Sequence, residues 1–127
     1  MYEARIRETI CIAHRVLQTD GALGPLHGHN WTIEVDLGAE ELDERGLVCD
    51  SAAVQALLHG VVDPIDHRTL DDLVPFRDEP RARTAAGFAR WVVEGLSPRL
   101  EARLCVVRVR VLDGTGRIVS FVTGEQG

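Results

Sequence analysis

Three histidines on the apolar faces of two predicted strands are the residues most able to do chemistry. His27 and His29 begin an alternating apolar and polar run, so their imidazoles point the same way, about 6.5 to 7 Å apart. His14 lies on the apolar face of the preceding alternating run. Three neutral imidazoles can hold Zn²⁺ tetrahedrally and leave a fourth position for water or substrate, as in catalytic zinc sites.

The alternative is that these histidines are ordinary core residues. A lone histidine on an apolar strand face is more often a hydrogen-bonded part of the core, and an isolated His-x-His pair is a weak signal. Burying three imidazoles without a shared partner, however, costs several kcal/mol. The pattern therefore predicts a metal site formed by His14, His27 and His29.

A second candidate is the pair Asp66 and His67 in the segment "PIDHRTLDD". Imidazole titrates near neutral pH, and a neighbouring carboxylate can orient it and raise its basicity, which suits a general acid or base. The alternative is a loop aspartate that starts a turn beside a solvated histidine. Composition alone does not separate the two.

The three cysteines form no Cys-x-x-Cys pair, so neither a disulfide framework nor a thiolate zinc site is predicted. Cys11 is out of phase with His14 and is expected to face away from a metal. Cys105 lies about eight residues along its strand from Asp113. Neither is predicted to be a nucleophile, and Cys49, beside a predicted helix cap, is kept as a remote possibility.

Hydrophobic periodicity predicts the elements that position these residues. Residues 2–14 alternate with a period of two, and residues 27–37 do so again after a turn-rich loop at 18–25. Asp50 is placed to cap a helix that Pro64 ends.

The second half of the chain continues this pattern. Residues 63–83 contain three prolines and many charges and are predicted to be mostly loop, and residues 84–96 have helical spacing of apolar residues. Two final strands meet at a hairpin at 113–116. The residues predicted to be in phase on the first of them are Val107, Val109, Val111 and Asp113.

The element order strand, strand, helix, helix, strand, strand predicts an α+β domain with a four-stranded antiparallel sheet and both helices on one face. Residues 1–127 are expected to form a single domain. The net charge of -6 and the scattered arginines argue against nucleic-acid binding. No apolar run has the length of a signal peptide or a membrane span, so we expect a cytoplasmic protein with a small-molecule substrate.

The segments "CIAHR", "LHGHNW", "GLVCD", "IDHRTLDD", "TAAGFARWV" and "VRVLD" occur in an order that resembles the 6-pyruvoyltetrahydropterin synthase and 6-carboxytetrahydropterin synthase family from end to end. The resemblance implies the tunnelling fold (T-fold), in which the sheets of three subunits close into a barrel. It further implies a homotrimer or homohexamer with active sites at subunit interfaces. It implies Zn²⁺ on His14, His27 and His29, and a catalytic pair at Asp66 and His67.

The implied substrate-binding residues are Asp113, at the position of the family's pterin-anchoring glutamate, and Thr84, in the family's Pro-Thr-Ser-Glu motif. The chain departs from the family's pattern at three positions. Leu23 stands where the family has its catalytic cysteine, Asp113 is shorter than glutamate, and Ala86 replaces the glutamate of the motif. A base such as Asp20 could enter from the loop instead.

The resemblance thus implies a zinc-dependent lyase acting on a dihydroneopterin-type substrate, by carbon–oxygen lyase or retro-aldol-like chemistry. The alternative is a family member recruited to another biosynthetic pathway, as a zinc-dependent cyclase or aldolase on a non-pterin substrate such as a polyketide. A non-catalytic binding protein is the third hypothesis, against which the retention of all three histidines speaks.

Overall fold

Two long antiparallel strands form the centre of the sheet in the computed structural model, which describes residues 1–74 and 76–124. Strand β1 is Tyr2–His14 and strand β2 is His27–Ala39. They pair along their whole length, so that His14 lies opposite His27 and Ile12 lies opposite His29. Both strands were predicted, and their register brings the three histidines to one end of the sheet.

The sheet has five strands rather than the predicted four. The additional strand is β3 (Arg68–Thr69), which pairs in parallel with β1 through Ile12 and Ala13. The sheet is therefore not purely antiparallel, and a strand of two residues is too short to show an alternating pattern. Strands β4 (Cys105–Leu112) and β5 (Ile118–Val122) form the predicted hairpin, and the order is β3-β1-β2-β4-β5.

A β-bulge in β4 changes the predicted phase of that strand. The pairing register with β2 shifts at the step 36–37, which leaves Val107 as an extra residue in β4. Val109 and Val111 are buried as predicted, but Val106 is buried in the place expected for Val107. A bulge inserts one residue and reverses the alternation beyond it, which a strict period of two cannot anticipate.

The two helices are close to their predicted positions. Helix α1 is Ser51–Val62, and the Asp50 carboxylate accepts a hydrogen bond from the Ala53 amide at 3.2 Å, as an N-cap does. Helix α2 is Ala85–Leu96, capped by Thr84. The segment between them is mostly loop, as predicted, with short 3-10 turns in addition to β3.

Both helices pack on one face of the sheet, and the hydrophobic core lies between the helices and the sheet. Trp31 and Ile33 of β2 and Phe88 of α2 are almost fully buried in it. We call the opposite side, where arginines and carboxylates alternate along the strands, the open face. Within the described residues, neither helix is long and apolar enough to cross a membrane.

Candidate metal centre and catalytic pair

The three predicted metal ligands converge at the end of the β1–β2 pair. The ring centroids of His14 and His27 are 4.6 Å apart, those of His14 and His29 are 5.0 Å apart, and those of His27 and His29 are 4.8 Å apart. One nitrogen from each ring lies within 4.8 Å of the others. Trp31 closes the inner side of the cluster, with its ring 5.3 Å from His14. His14 is buried, His29 is partly buried and His27 is exposed, so the cluster opens outward.

The orientation of two of the imidazoles is fixed by backbone carbonyls. His14 Nδ1 is 2.6 Å from the Arg83 carbonyl oxygen, and His27 Nδ1 is 3.1 Å from the Pro25 carbonyl oxygen. A carbonyl can only accept, so each Nδ1 carries the proton and each Nε2 is left with a free lone pair. This is how proteins orient histidines that bind metals.

The Nε2 atom of His14 tests whether the cluster fits a metal. Among the described residues it is the buried side-chain nitrogen or oxygen without a hydrogen-bond partner. Leaving such an atom unsatisfied costs about 1–3 kcal/mol, so buried polar groups are nearly always paired. A cation held by this nitrogen together with His27 and His29 would satisfy it, so the three residues fit a zinc ion.

The electrostatic environment of His14 and His29 lowers the pKa of both and so favours the neutral form, which is the form that binds metals. Burial is the largest influence on His14 and lowers its pKa, and the Arg83 carbonyl opposes this effect. Burial also lowers the pKa of His29, with a further contribution from His27, while Asp113 acts in the opposite direction.

A buried arginine that sequence reasoning missed holds the carbonyl behind His14. The Arg83 guanidinium is bound to Asp71 at 3.1 Å and donates to the carbonyls of Phe76, at 2.9 Å, and Arg77, at 2.5 Å. Asp71 in turn accepts a hydrogen bond from the Arg15 amide at 3.0 Å. The sequence gives no signal that Arg83 supports His14. Most arginines are exposed, and only the folded structure determines which one is buried.

The predicted pair Asp66 and His67 comes together at the β1–β3 edge. His67 Nδ1 lies 3.1 Å from the carboxylate of Asp66. The His67 side chain is 76% exposed, so a substrate can reach it. His67 has a φ of 61°, which is costly for a residue other than glycine, and such strain is concentrated at functional sites.

Cys11 is brought next to this pair, which sequence reasoning did not foresee. The Asp66 carboxylate accepts a hydrogen bond from the Cys11 amide at 2.7 Å, and the His67 amide donates to the Cys11 carbonyl at 2.7 Å. One polar atom each of Cys11, Asp66 and His67 lies within 4.8 Å of the others. As predicted, Cys11 points away from His14. The missing signal was the parallel pairing of β3 with β1.

The two predicted substrate-binding residues make contacts within their own loops. The Asp113 carboxylate accepts hydrogen bonds from the Thr115 amide at 2.8 Å and from the Thr115 hydroxyl at 2.6 Å, which lower the pKa of Asp113. The Thr84 hydroxyl accepts from the Gly87 amide at 3.1 Å as the N-cap of α2. The charge of Asp113 also acts to raise the pKa of His29.

Leu23 and Asp20 both lie in the exposed loop before β2. Leu23 forms an isolated β-bridge with Leu17, and its side chain is partly exposed. The Asp20 carboxylate accepts a hydrogen bond from the Ala22 amide at 2.9 Å, which is a local turn contact. Both residues are on the surface, in the loop that leads to His27.

Comparison with solved structures first defines the class of fold. The chain superposes on 6-pyruvoyl tetrahydropterin synthase from Caenorhabditis elegans with a TM-score of 0.80 and 23% identity, covering 97% of this chain and 96% of that one. It also matches the uncharacterised protein WS1659 from Wolinella succinogenes with a TM-score of 0.73 and 21% identity, over 97% of this chain and 98% of that chain. At this level of identity the likeness concerns the fold, which is the predicted tunnelling fold.

The sequence comparison then gives the family: residues 3–123 match the 6-pyruvoyl tetrahydropterin synthase family, and the chain belongs to it. It is 30% identical over 64 residues to 6-carboxy-5,6,7,8-tetrahydropterin synthase from Bacillus subtilis, covering 50% of this chain and 42% of that protein. It is 29% identical over 89 residues to dihydroneopterin monophosphate aldolase from Pyrococcus furiosus, covering 70% of this chain and 71% of that protein. The chain thus aligns with less than half of the Bacillus subtilis synthase.

Proposed function

We propose that the protein is a zinc-dependent lyase that acts on a dihydroneopterin-type substrate. The observation that carries this proposal is the convergence of His14, His27 and His29, with the buried Nε2 of His14 left without a protein partner. Nothing in ordinary core packing favours that arrangement. A zinc ion bound there supplies a Lewis acid that polarises substrate oxygens.

The Asp66 and His67 pair is proposed to move protons at the reacting carbon. Asp66 lies 3.1 Å from His67 Nδ1, so it can hold the imidazole in one orientation and leave Nε2 directed outward. The exposed ring can then accept a proton from a substrate hydroxyl or deliver one to a substrate carbon. Asp66 is also fixed by the Cys11 amide, which makes its position rigid.

The names of the relatives support a pterin substrate and a carbon–carbon lyase reaction. The aldolase from Pyrococcus furiosus acts on dihydroneopterin monophosphate and is aligned over 71% of its length. A retro-aldol cleavage needs a base for the hydroxyl proton, an acid that protonates the new carbanion, and stabilisation of the developing oxyanion. The histidine cluster and the Asp66–His67 pair offer these groups.

A second candidate is a cyclase or aldolase acting on a non-pterin substrate. It is favoured by the contacts of Asp113 and Thr84, whose polar groups are engaged by Thr115 and Gly87 within their own loops. A site that selects a heterocycle by hydrogen bonds requires polar groups directed at it. Zinc and His67 would serve carbonyl chemistry on another substrate equally well.

The proposal includes assembly into a homotrimer or homohexamer and a cytoplasmic location. The fold is one in which the sheets of several copies can close into a barrel and so cover their edges. Light scattering of the purified protein measures the mass directly. A stable monomer would contradict this part of the proposal.

The test is turnover of dihydroneopterin monophosphate and triphosphate by purified protein, with products separated by liquid chromatography and identified by mass. We expect a cleaved pterin with the zinc-loaded protein, no product after dialysis against a chelator, and recovery when Zn²⁺ is returned. His29→Ala should lose bound zinc and activity together. His67→Asn should keep zinc and lose activity.

The matched control is His59→Asn, because His59 is an exposed histidine of α1 that is bonded to Glu8 and lies outside both clusters. It should keep both zinc and activity. Absence of zinc from the wild type, or an unchanged rate in His29→Ala, would refute the proposal. Tight zinc binding without turnover of either pterin would favour the second candidate.

A further inference from the structure

We propose that the thiol of Cys11 is a catalytic group that exchanges a proton with His67. Thiol, imidazole and carboxylate form a cluster here, in which one polar atom each of Cys11, Asp66 and His67 lies within 4.8 Å of the others. A cysteine next to a histidine that is oriented by a third group is the arrangement that activates a thiol. The inference rests on the proposed lyase function for its kinetic part only.

The backbone of Cys11 helps to hold this cluster together. The Cys11 carbonyl accepts from the His67 amide at 2.7 Å, and the Cys11 amide donates to the Asp66 carboxylate at 2.7 Å. Asp66 therefore bonds both to the Cys11 backbone and to the His67 ring. His67 adopts a φ of 61° directly before β3, and its ring lies against the Asp66 carboxylate.

The surroundings of the thiol are polar rather than apolar. Its sulfur lies 2.9 Å from the Asn30 side-chain oxygen on the neighbouring strand β2, and Cys11 is only partly buried. Among the described residues, Asp66 and His67 cluster with the thiol, and Arg68 of β3 pairs through its backbone with the adjacent Ile12. A partly exposed thiol that contacts polar groups can meet a substrate, whereas an inert structural cysteine is buried among apolar side chains.

The proton path is balanced within the pair. The thiol proton passes to the His67 imidazole, and the resulting Cys11 thiolate accepts the proton of a substrate hydroxyl as the S–H bond forms and the O–H bond breaks. The hydroxyl electrons form a carbonyl as the carbon–carbon bond breaks, and the imidazolium returns its proton to the carbanion. Thiol and imidazole both end as they began.

Cys11 acts on a substrate held by the histidine cluster of a second copy. Cys11 and His14 are three residues apart on β1, and strand residues at odd spacing point to opposite sides. The thiol of one chain therefore faces away from the metal site of the same chain.

The first experiment measures alkylation of the thiols by iodoacetamide at pH 7 in metal-free wild type and His67→Asn, with each cysteine quantified by mass spectrometry of its peptide. Cys49 is buried, and burial raises its pKa, so it serves with Cys105 as an internal reference. We expect Cys11 to react fastest in the wild type and roughly tenfold more slowly in His67→Asn, with the references unchanged.

The second experiment compares kcat and KM of Cys11→Ser and Cys11→Ala with those of Cys105→Ala. Loss of an acid–base group should lower kcat by about 100-fold or more in both Cys11 variants, with little change in KM, and should not affect Cys105→Ala. Circular dichroism of each variant checks folding. Mixing inactive Cys11→Ala with inactive His29→Ala should restore part of the activity, because some boundaries between copies then contain both intact clusters.

Three outcomes would overturn the inference. The first is an alkylation rate of Cys11 that is the same in the wild type and in His67→Asn, and the second is more than half of the activity left in Cys11→Ala. The third is protection of Cys11 from alkylation by a second bound equivalent of Cd²⁺ in the wild type, which would make the cluster a metal site. Failure of the pterin assay would remove the proposed function but leave the alkylation result decisive. Turnover of a pterin by a protein whose Cys11 is unreactive would support the proposed function and refute the catalytic role of the thiol.

Discussion

Replacing Asp36 by asparagine removes one negative charge from the open face without changing the shape of the side chain. Asp36 is 3% exposed, and its carboxylate accepts hydrogen bonds from Arg5 and Arg108 at 2.8 Å and from Arg110 at 2.7 Å. Burial acts to raise the pKa of Asp36, but the three arginines outweigh it and lower the pKa to about 2 from the ordinary 3.8. The charged form is therefore favoured in the folded state.

The magnitude follows from the difference between the folded and unfolded pKa. Each pKa unit corresponds to about 1.4 kcal/mol, so the shift of Asp36 to about 2 contributes about 2 kcal/mol to the free energy of unfolding at neutral pH. Because the folded pKa is the lower one, this contribution is complete above the unfolded value. It is lost as the pH falls through 3.8 toward 2.

The assay is urea unfolding of metal-free protein at a fixed concentration between pH 7 and pH 2. We expect Asp36→Asn to be about 2 kcal/mol less stable than the wild type at pH 7, and the two proteins to converge near pH 2. Asp78→Asn, at an exposed aspartate, is the control and should leave the stability at pH 7 unchanged within about 0.5 kcal/mol. If the gap between the wild type and Asp36→Asn were the same at pH 7 and pH 2, the account of this ion cluster would be refuted.

Three further predictions concern the support of the metal centre and the stability of the helices. Asp71→Asn should weaken the hold on Arg83 and lower the zinc affinity by roughly tenfold, measured by competition with a chromophoric chelator, whereas unchanged affinity would show that the carbonyl needs no such support. Gly87→Ala should lower the free energy of unfolding measured in urea, because a Cβ there would lie 2.4 Å from the Ala82 backbone oxygen. Gly60→Ala, whose Cβ would make only an ordinary contact of 3.5 Å with the Arg99 guanidinium, should leave that free energy unchanged or raise it by up to about 1 kcal/mol. Thr84→Ala should cost about 1 kcal/mol in urea unfolding through loss of the helix cap, and a substrate role would appear separately as a raised KM.

The strands and helices, and the face on which each of their residues lies, could be predicted from the sequence because both follow from local hydrophobic periodicity. The alternation in β1 and β2 places His14, His27 and His29 on one face of the sheet. The pairing register then brings them to the same end of the two strands. The caps at Asp50 and Thr84 follow from the short polar side chains before apolar helical runs. These features depend on neighbours within a few residues.

The features that were missed depend on contacts between distant parts of the chain. β3 has two residues and no pattern of its own, and it exists because it meets the edge of β1. The nearness of Cys11 to His67 follows from that pairing. The bulge at Val107 and the burial of Arg83 likewise come from how neighbouring elements fit, since each residue type is unremarkable in its local sequence.

The odd spacing of Cys11 and His14 along β1 has a consequence for mixtures of normal and damaged copies. Cys11 and His14 lie on opposite sides of β1, so in the proposed oligomer a reaction that used both would take place at the boundary between two chains. A chain that lacks only the Cys11 thiol would inactivate one boundary, and its histidines would still serve the boundary with the next copy. In the proposed homotrimer, a chain defective in both the thiol and the histidines would inactivate two of the three boundaries, so that activity would fall more steeply than the fraction of damaged chains.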